Sequence, residues 1–264
     1  MTKLFDSHAH YFDQRFCEEF ENGADSILPD IFSGGVEYIV NVGTNNENNL
    51  ACLEMAQKYG GMYAAVGIHP TDCRDYGREE LGKFEAFLLA HRDFKKEKIV
   101  AIGEIGFDYH WEPYDKEHQR FFFEEQMKLA EKYSLPVIIH DREAHGDCFD
   151  VTCKFPNVRG VFHSYSGSAE MAGELVKRGW YISFSGVVTF KNASRVKEVA
   201  ASVPKDRILV ETDCPYLAPH PMRGKINHSG LMHYTVETLA EIFGESFESM
   251  AQTLTENAKR LFKL

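Results

Sequence analysis

Short runs of apolar and β-branched residues recur along the chain, separated by stretches whose apolar positions fall three or four apart. The runs are Lys3 to Asp6, Glu37 to Val42, Met62 to Gly67, Ile99 to Gly103, Pro136 to Ile139, Val158 to Phe162, Trp180 to Phe184 and Arg207 to Val210. Their length and composition predict strands. Between them, Asn48 to Tyr59 (NNLACLEMAQKY) sets Leu50, Leu53, Ala56 and Gln57 at helical spacing, and Lys116 to Tyr133, Ala169 to Arg178 and Ala193 to Ser202 repeat the pattern. Asp115 before KEHQ and Ser168 before AEMAGEL are helix-start signals.

Seven runs are followed by a helical pattern and the eighth by a long loop and then helices. That count predicts a closed parallel (β/α)8 barrel, with extra C-terminal helices from about Leu231 to Phe262 on its outside. An open doubly wound sheet is the runner-up. Against it, DSHAH follows the first run where such a sheet would carry a glycine-rich phosphate loop. No low-complexity segment, charge block or linker interrupts the 264 residues, so one domain, 1–264, is expected.

Composition adds limits. With 44% hydrophobic and 26% charged residues the chain resembles an ordinary soluble domain. No apolar run reaches the ~20 residues of a spanning helix, so no membrane partner is expected. The start, MTKLFDSHAH, lacks the apolar core of a signal peptide. The six cysteines form no CxxC pair and read as reduced thiols, which makes a cytoplasmic location the expectation. The net charge of −11, from 29 basic and 40 acidic residues, opposes nonspecific coating of a nucleic-acid duplex. A phosphodiester substrate stays open, because a strand end needs few contacts and bound divalent cations invert the local charge.

The polar residues that interrupt this pattern gather where strands should end. LF leads to DSHAH, VGI to His69, VAIG to Glu104, VII to His140, VF to His163 and ILVE to TDCP. In a parallel barrel those positions form the C-terminal mouth, where side chains from different strands converge. On an extended segment His8 and His10 point to one side and can reach one ion. Alone, His-x-His also describes two buried hydrogen-bonding histidines; the later Glu104, His140, His163 and Asp213 favour metal. Six donors exceed the three or four protein ligands of a single catalytic zinc, so two divalent ions are expected, Mg, Mn or Zn. A carboxylate can bridge, which gives His8, His10, Glu104 and Asp213 to the first ion and Glu104, His140 and His163 to the second. Asp213 is then best placed as the base or orienter of a metal-activated water.

DSHAH at 6–10, GIHP at 67–70, GEIGFDYH at 103–110, HDR at 140–142, HSYSG at 163–167, ETDCPYLAP at 211–219 and RGK at 223–225 together resemble the TatD family of metal-dependent deoxyribonucleases. The resemblance spans nearly the whole chain, and the GEIG and ETD-PYLAP segments are specific. It implies hydrolysis of DNA phosphodiesters on an amidohydrolase-like barrel, with exonuclease action on DNA or RNA ends, including the 3′–5′ direction, or deacylation of mischarged transfer RNA in some members. The family's metal ligands map onto the six residues above, and its substrate-side histidine onto His69. Departures occur at Ser164 and Tyr165, where the family commonly has Cys and Phe, and at His228 and Ser229, which follow Asn227 in place of Glu-Pro.

Other residues carry two readings. His69, held extended by Pro70, is either a backbone-contacting loop residue or a substrate contact. Arg223 and Lys225 are either an exposed basic turn or phosphate ligands beside Asp213, and the second is favoured. Tyr109 is read as packing, Asp108 stays open, and Cys214 reads as a small packing residue. DNA or another nucleic-acid end is the expected substrate and a monomer the expected state. An amidohydrolase of small cyclic amides or esters, or an aminoacyl-tRNA deacylase, on the same two-metal barrel is the alternative.

Overall fold

The computed structural model describes residues 3–264. Eight strands follow one another: β1 (Leu4–Ala9), β2 (Val36–Val42), β3 (Met62–Val66), β4 (Ile99–Asp108), β5 (Val137–Arg142), β6 (Gly160–Phe162), β7 (Tyr181–Phe184) and β8 (Ile208–Val210). Their order in the sheet is β1-β2-β3-β4-β5-β6-β7-β8, and Ala9 bridges in parallel to Cys214 just beyond β8. This is the topology of a (β/α)8 barrel. The chain divides into two compact units, one of residues up to Asn41 with His163–Leu264, the other of Val42–Phe162. None of the described helices is long and apolar enough to cross a membrane.

In the first unit β1 pairs with β2 and β7 with β8, all in parallel. The helix Phe247–Phe262 explains why the chain needs its last segment. Its stripe of Met250, Ala251, Leu254, Ala258, Leu261 and Phe262 is buried, and Phe262 stacks on Phe5 of β1 at 5.9 Å. Burying each such large side chain contributes about 1.5–3 kcal/mol. Polar groups fix the alignment: Thr255 Oγ1 donates to the Lys3 carbonyl, and Asn257 Nδ2 donates to the carbonyls of Lys205 and Ile208. Ser246 caps the helix by accepting from Ser249 N–H.

In the second unit β3, β4, β5 and β6 pair in parallel. The helix Lys116–Tyr133 has the bounds the spacing predicts, because Asp115 accepts from His118 N–H at its start and Ser134 turns left-handed (φ 54°) at its end. Two buried amides on its inner face bond the backbone at the end of β4 and just beyond the end of β3. Gln119 accepts from Asp108 N–H and donates to the Asp108 carbonyl, and Gln126 does the same for Ile68. Further helices at Asn46–Lys58, Glu80–Ala90, Phe94–Glu97 and His145–Cys153 belong to the unit.

Two strands depart from regular pairing where chemistry is expected. Along β1, Asp6 faces Ile39 and Ala9 faces Asn41, so three steps oppose two. Along β4, Ile102 faces Val137 and Ile105 faces Ile139, again three against two. Each extra residue is a bulge, a device that re-aims side chains. The first lies at His8 and the second at Glu104. Sequence patterning ends the fourth strand at Gly103; the structure carries it through the bulge to Asp108.

Candidate functional site

In the first unit β1 and the segment after β8 lie side by side. Asp213 N–H donates to the His8 carbonyl at 2.9 Å and His10 N–H to the Cys214 carbonyl at 2.8 Å. The pairing brings three donors together. His8 Nε2 and His10 Nε2 are 3.0 Å apart, and Asp213 Oδ1 lies 3.6 and 3.3 Å from them. Atoms that share an ion at about 2.1 Å are roughly 3.0 Å apart at a right angle and roughly 3.4 Å at the tetrahedral angle. The observed spacings match, so the donor set fits a divalent cation in both type and separation.

Backbone geometry explains the choice of residue at 213. Its φ is 56°, in the left-handed region that Asp and Asn tolerate better than most side chains. Burial alone would raise the Asp213 carboxyl, but the hydrogen bond from His10 and the charges of His163, His8 and His10 hold it below the usual carboxylate range. His163, just past β6, stacks on the His8 ring at 4.1 Å. Behind it the fully buried Glu211 accepts from Ser164 N–H and Ser183 Oγ, each at 2.6 Å, with Oε1 3.4 Å from His163 Nδ1. A carboxylate behind a candidate ligand histidine orients the ring.

Asp6 does the equivalent for β1. It is completely buried and accepts from His8 N–H, Thr212 N–H, Thr212 Oγ1 and Ser229 Oγ. Desolvation raises its carboxyl to about 6 against these hydrogen bonds. Ser229 is thereby explained: it sits where the resemblance leads one to expect proline, and its hydroxyl reaches Asp6 at 2.6 Å and Tyr11 Oη at 2.8 Å. Cys214 is buried and desolvation pushes its thiol up, as suits a packing residue.

The second unit holds the other group. Glu104 is buried on β4, with Oε1 2.5 Å from His140 Nδ1 and 3.7 Å from His69 Nε2. The flanking glycines of GEIG let β5 approach. A Cβ on Gly103 would meet Ile138 Cβ at 2.7 Å, and one on Gly106, where φ is 145°, would overlap the His140 carbonyl oxygen. His140 Nε2 lies 3.0 Å from Asp108 Oδ2, so Asp108 belongs with the site. Burial would raise the Asp108 carboxyl, yet the bond to His140, the charge of that ring and the His110 N–H bring it below its ordinary range. His69 Nδ1 accepts from Thr71 N–H at 3.1 Å, which leaves Nε2 as the proton-bearing nitrogen of a neutral ring, facing Glu104.

Arg223 and Lys225 line an open cleft of about 690 Å³ in the first unit, together with Arg15, Glu19, Phe190 and Tyr216. The Arg223 guanidinium lies 4.3 Å from the centre of the Phe190 ring, and that of Arg15 4.5 Å from Tyr216. Asn227 Nδ2 donates to the carbonyls of Thr212 and Tyr216, which ties the RGK loop back to the segment bearing Asp213. Arg15 carried no sequence signal of its own, being one basic residue in a short polar helix. Asp6 and Glu211 had one: each is an acidic residue two positions before a candidate ligand.

Known proteins resemble the chain along nearly its whole length. The family model described as TatD-related DNase matches residues 5–263. The chain is 42% identical over 263 residues to an uncharacterized metal-dependent hydrolase, YabD, of Bacillus subtilis, covering 99% of each chain. It is 34% identical to another uncharacterized metal-dependent hydrolase, YcfH, of Escherichia coli, over 99% of this chain and 96% of that one. The crystal structure of YjjV, a TatD homologue from Escherichia coli, superimposes with a TM-score of 0.90 at 29% identity, covering 100% of this chain and 99% of the other.

Proposed function

This chain belongs to the TatD-related DNase family, and on that premise we propose that this metal-dependent hydrolase cleaves phosphodiester bonds of DNA. The observation that carries the reading is the separation of His8, His10 and Asp213, which suits donors sharing a divalent ion. His8, His10, Glu104 and Asp213 would hold one ion and Glu104, His140 and His163 a second. Bound there, divalent cations supply a water of lowered pKa and draw charge from the phosphoryl oxygens.

The chain's own groups do the rest. Asp213, kept ionised by its histidine neighbours, accepts the proton of the attacking water. The water oxygen forms a bond to phosphorus as the bond from phosphorus to the leaving sugar oxygen breaks, and the proton taken by Asp213 passes by way of solvent to that oxygen. His69 donates its Nε2 proton in a hydrogen bond to a non-bridging oxygen as negative charge grows. Asp108 holds the His140 ring in place. Arg223 grips a neighbouring phosphate bidentately, with Lys225 as a point charge beside it.

Purified protein with manganese or magnesium should shorten a single-stranded oligonucleotide, and EDTA should stop it. Intact oligonucleotide, alongside turnover of a dihydropyrimidine, a lactone or an aminoacyl-tRNA, would replace this reading with another on the same metals. Arg223→Ala should raise KM for oligonucleotide about ten-fold, with a smaller change in kcat. An equal fall in kcat at unchanged KM would remove Arg223 from ground-state binding.

A further inference from the structure

The loop after β4 brings a second kind of chemistry to the second unit. Trp111 is 56% exposed, in a protein whose other tryptophan, Trp180, is 2% exposed. A ring held outward leaves aromatic surface in water that a stacked partner would bury. Trp111 is held. Asp108 Oδ1 accepts from the N–H groups of His110 and Trp111 at 2.9 and 3.3 Å, while its other oxygen meets His140. Tyr114, also exposed, stacks on Tyr109 at 4.9 Å, and Tyr109 Oη donates to Asp147.

Cations flank the rings, but they are not equivalent. Lys116 and Arg120 both pair with Asp147, at 3.0 and 2.5 Å. Arg142, at the end of β5 and paired in register with Asp108, has its guanidinium 5.5 Å from the centre of the Trp111 ring. It is exposed and stands two residues, about 7 Å, along the strand from His140. An outward indole, a guanidinium beside it and a candidate metal-binding histidine two residues down the same strand form a platform for a base with its phosphate.

We propose that Trp111 and Arg142 form a stacking subsite for a base of single-stranded DNA, with Arg142 on the adjoining phosphate. This rests on the phosphodiesterase reading and names how that substrate is held. With Arg142, Arg223 and Lys225 as its phosphate contacts the chain engages few phosphates, so stacking carries most of the affinity and the dependence on salt is shallow. A short oligothymidylate added to the full-length protein in EDTA should quench tryptophan emission saturably. Trp111→Phe should abolish the quench, since Trp180 is buried. An abasic backbone of the same length should not quench. Followed by anisotropy of a dye-labelled strand, Trp111→Ala should weaken binding on the order of 5- to 100-fold, and Arg142→Gln several-fold. Unchanged emission from a protein that degrades the strand when given metal would overturn the subsite and leave the hydrolase reading standing. Quenching equal to that by oligothymidylate on the abasic backbone would overturn it as well. A saturable quench lost in Trp111→Phe, with no cleavage under any divalent ion, would instead retain the subsite and sink phosphodiester hydrolysis.

Discussion

Glu104→Gln lowers the rate of oligonucleotide hydrolysis by about 10³-fold or more while the protein stays folded. The side chain is buried and lies between His140 and His69, so the isosteric amide keeps the volume and the packing of the bulged β4. It removes one full negative charge from a place where two imidazoles and, on this reading, two cations converge. An amide oxygen is a far weaker donor to a divalent ion and cannot bridge two as a carboxylate does. Metal content measured on the dialysed variant should fall with the rate, and thermal unfolding in EDTA should stay close to that of the parent. Asp213→Asn is the matched test on the other group. Asn tolerates the 56° φ of this position, so the backbone survives while the proton acceptor is lost. Wild-type rates from either variant would mean that the nuclease was a contaminant.

Glu104 also shows what could be read from the chain and what could not. The alternation of strand-like runs with helical stripes fixes the (β/α)8 topology, because both periods are strong and the caps at Asp115 and Ser168 are local. That Glu104 and the histidines stand near strand ends follows from the same runs. The bulges do not, since an added residue leaves no mark on hydrophobic periodicity, and β4 accordingly runs five residues past its expected end. The supporting carboxylates left only a faint mark, their place two positions before a candidate ligand. Asp6 and Glu211 sit in apolar runs as single charges, and only the donors that surround them, drawn from Thr212, Ser229, Ser164 and Ser183, explain how they are buried. Such donors come from segments as far as 223 positions away, beyond any local pattern. His145–Cys153, a short helix with no side-chain cap, gave little periodic signal for the same reason that it is held chiefly by what it packs on.

Asp6→Ala destabilises the metal-free protein by about 3 kcal/mol at mildly acidic pH, because Thr212 N–H, Thr212 Oγ1 and Ser229 Oγ each lose a buried acceptor at roughly 1 kcal/mol apiece. The pH dependence is the sharper test, and its sign follows from burial. Desolvation raises the Asp6 carboxyl from its ordinary 3.8 to about 6, so the folded state prefers the protonated form more than the unfolded state does. The stability this preference supplies is complete below pH 4 and is lost as pH rises through 6, when a charge must be kept in a site without water. A carboxyl moved that far carries about 3 kcal/mol. Asp6→Asn retains an acceptor and a donor but cannot titrate. Urea unfolding of wild type and Asp6→Asn in EDTA, repeated between about pH 4 and 7, should therefore show the wild-type advantage shrinking by about 2.4 kcal/mol as pH rises, with the other titrating groups cancelling in the difference. A difference that stays flat across the range would mean that Asp6 is ionised in both states, held so by the four donors at its oxygens. A difference that grows with pH would mean that the hydrogen bonds outweigh desolvation, and that the link between β1 and the Thr212–Asp213 segment tightens as the carboxylate forms.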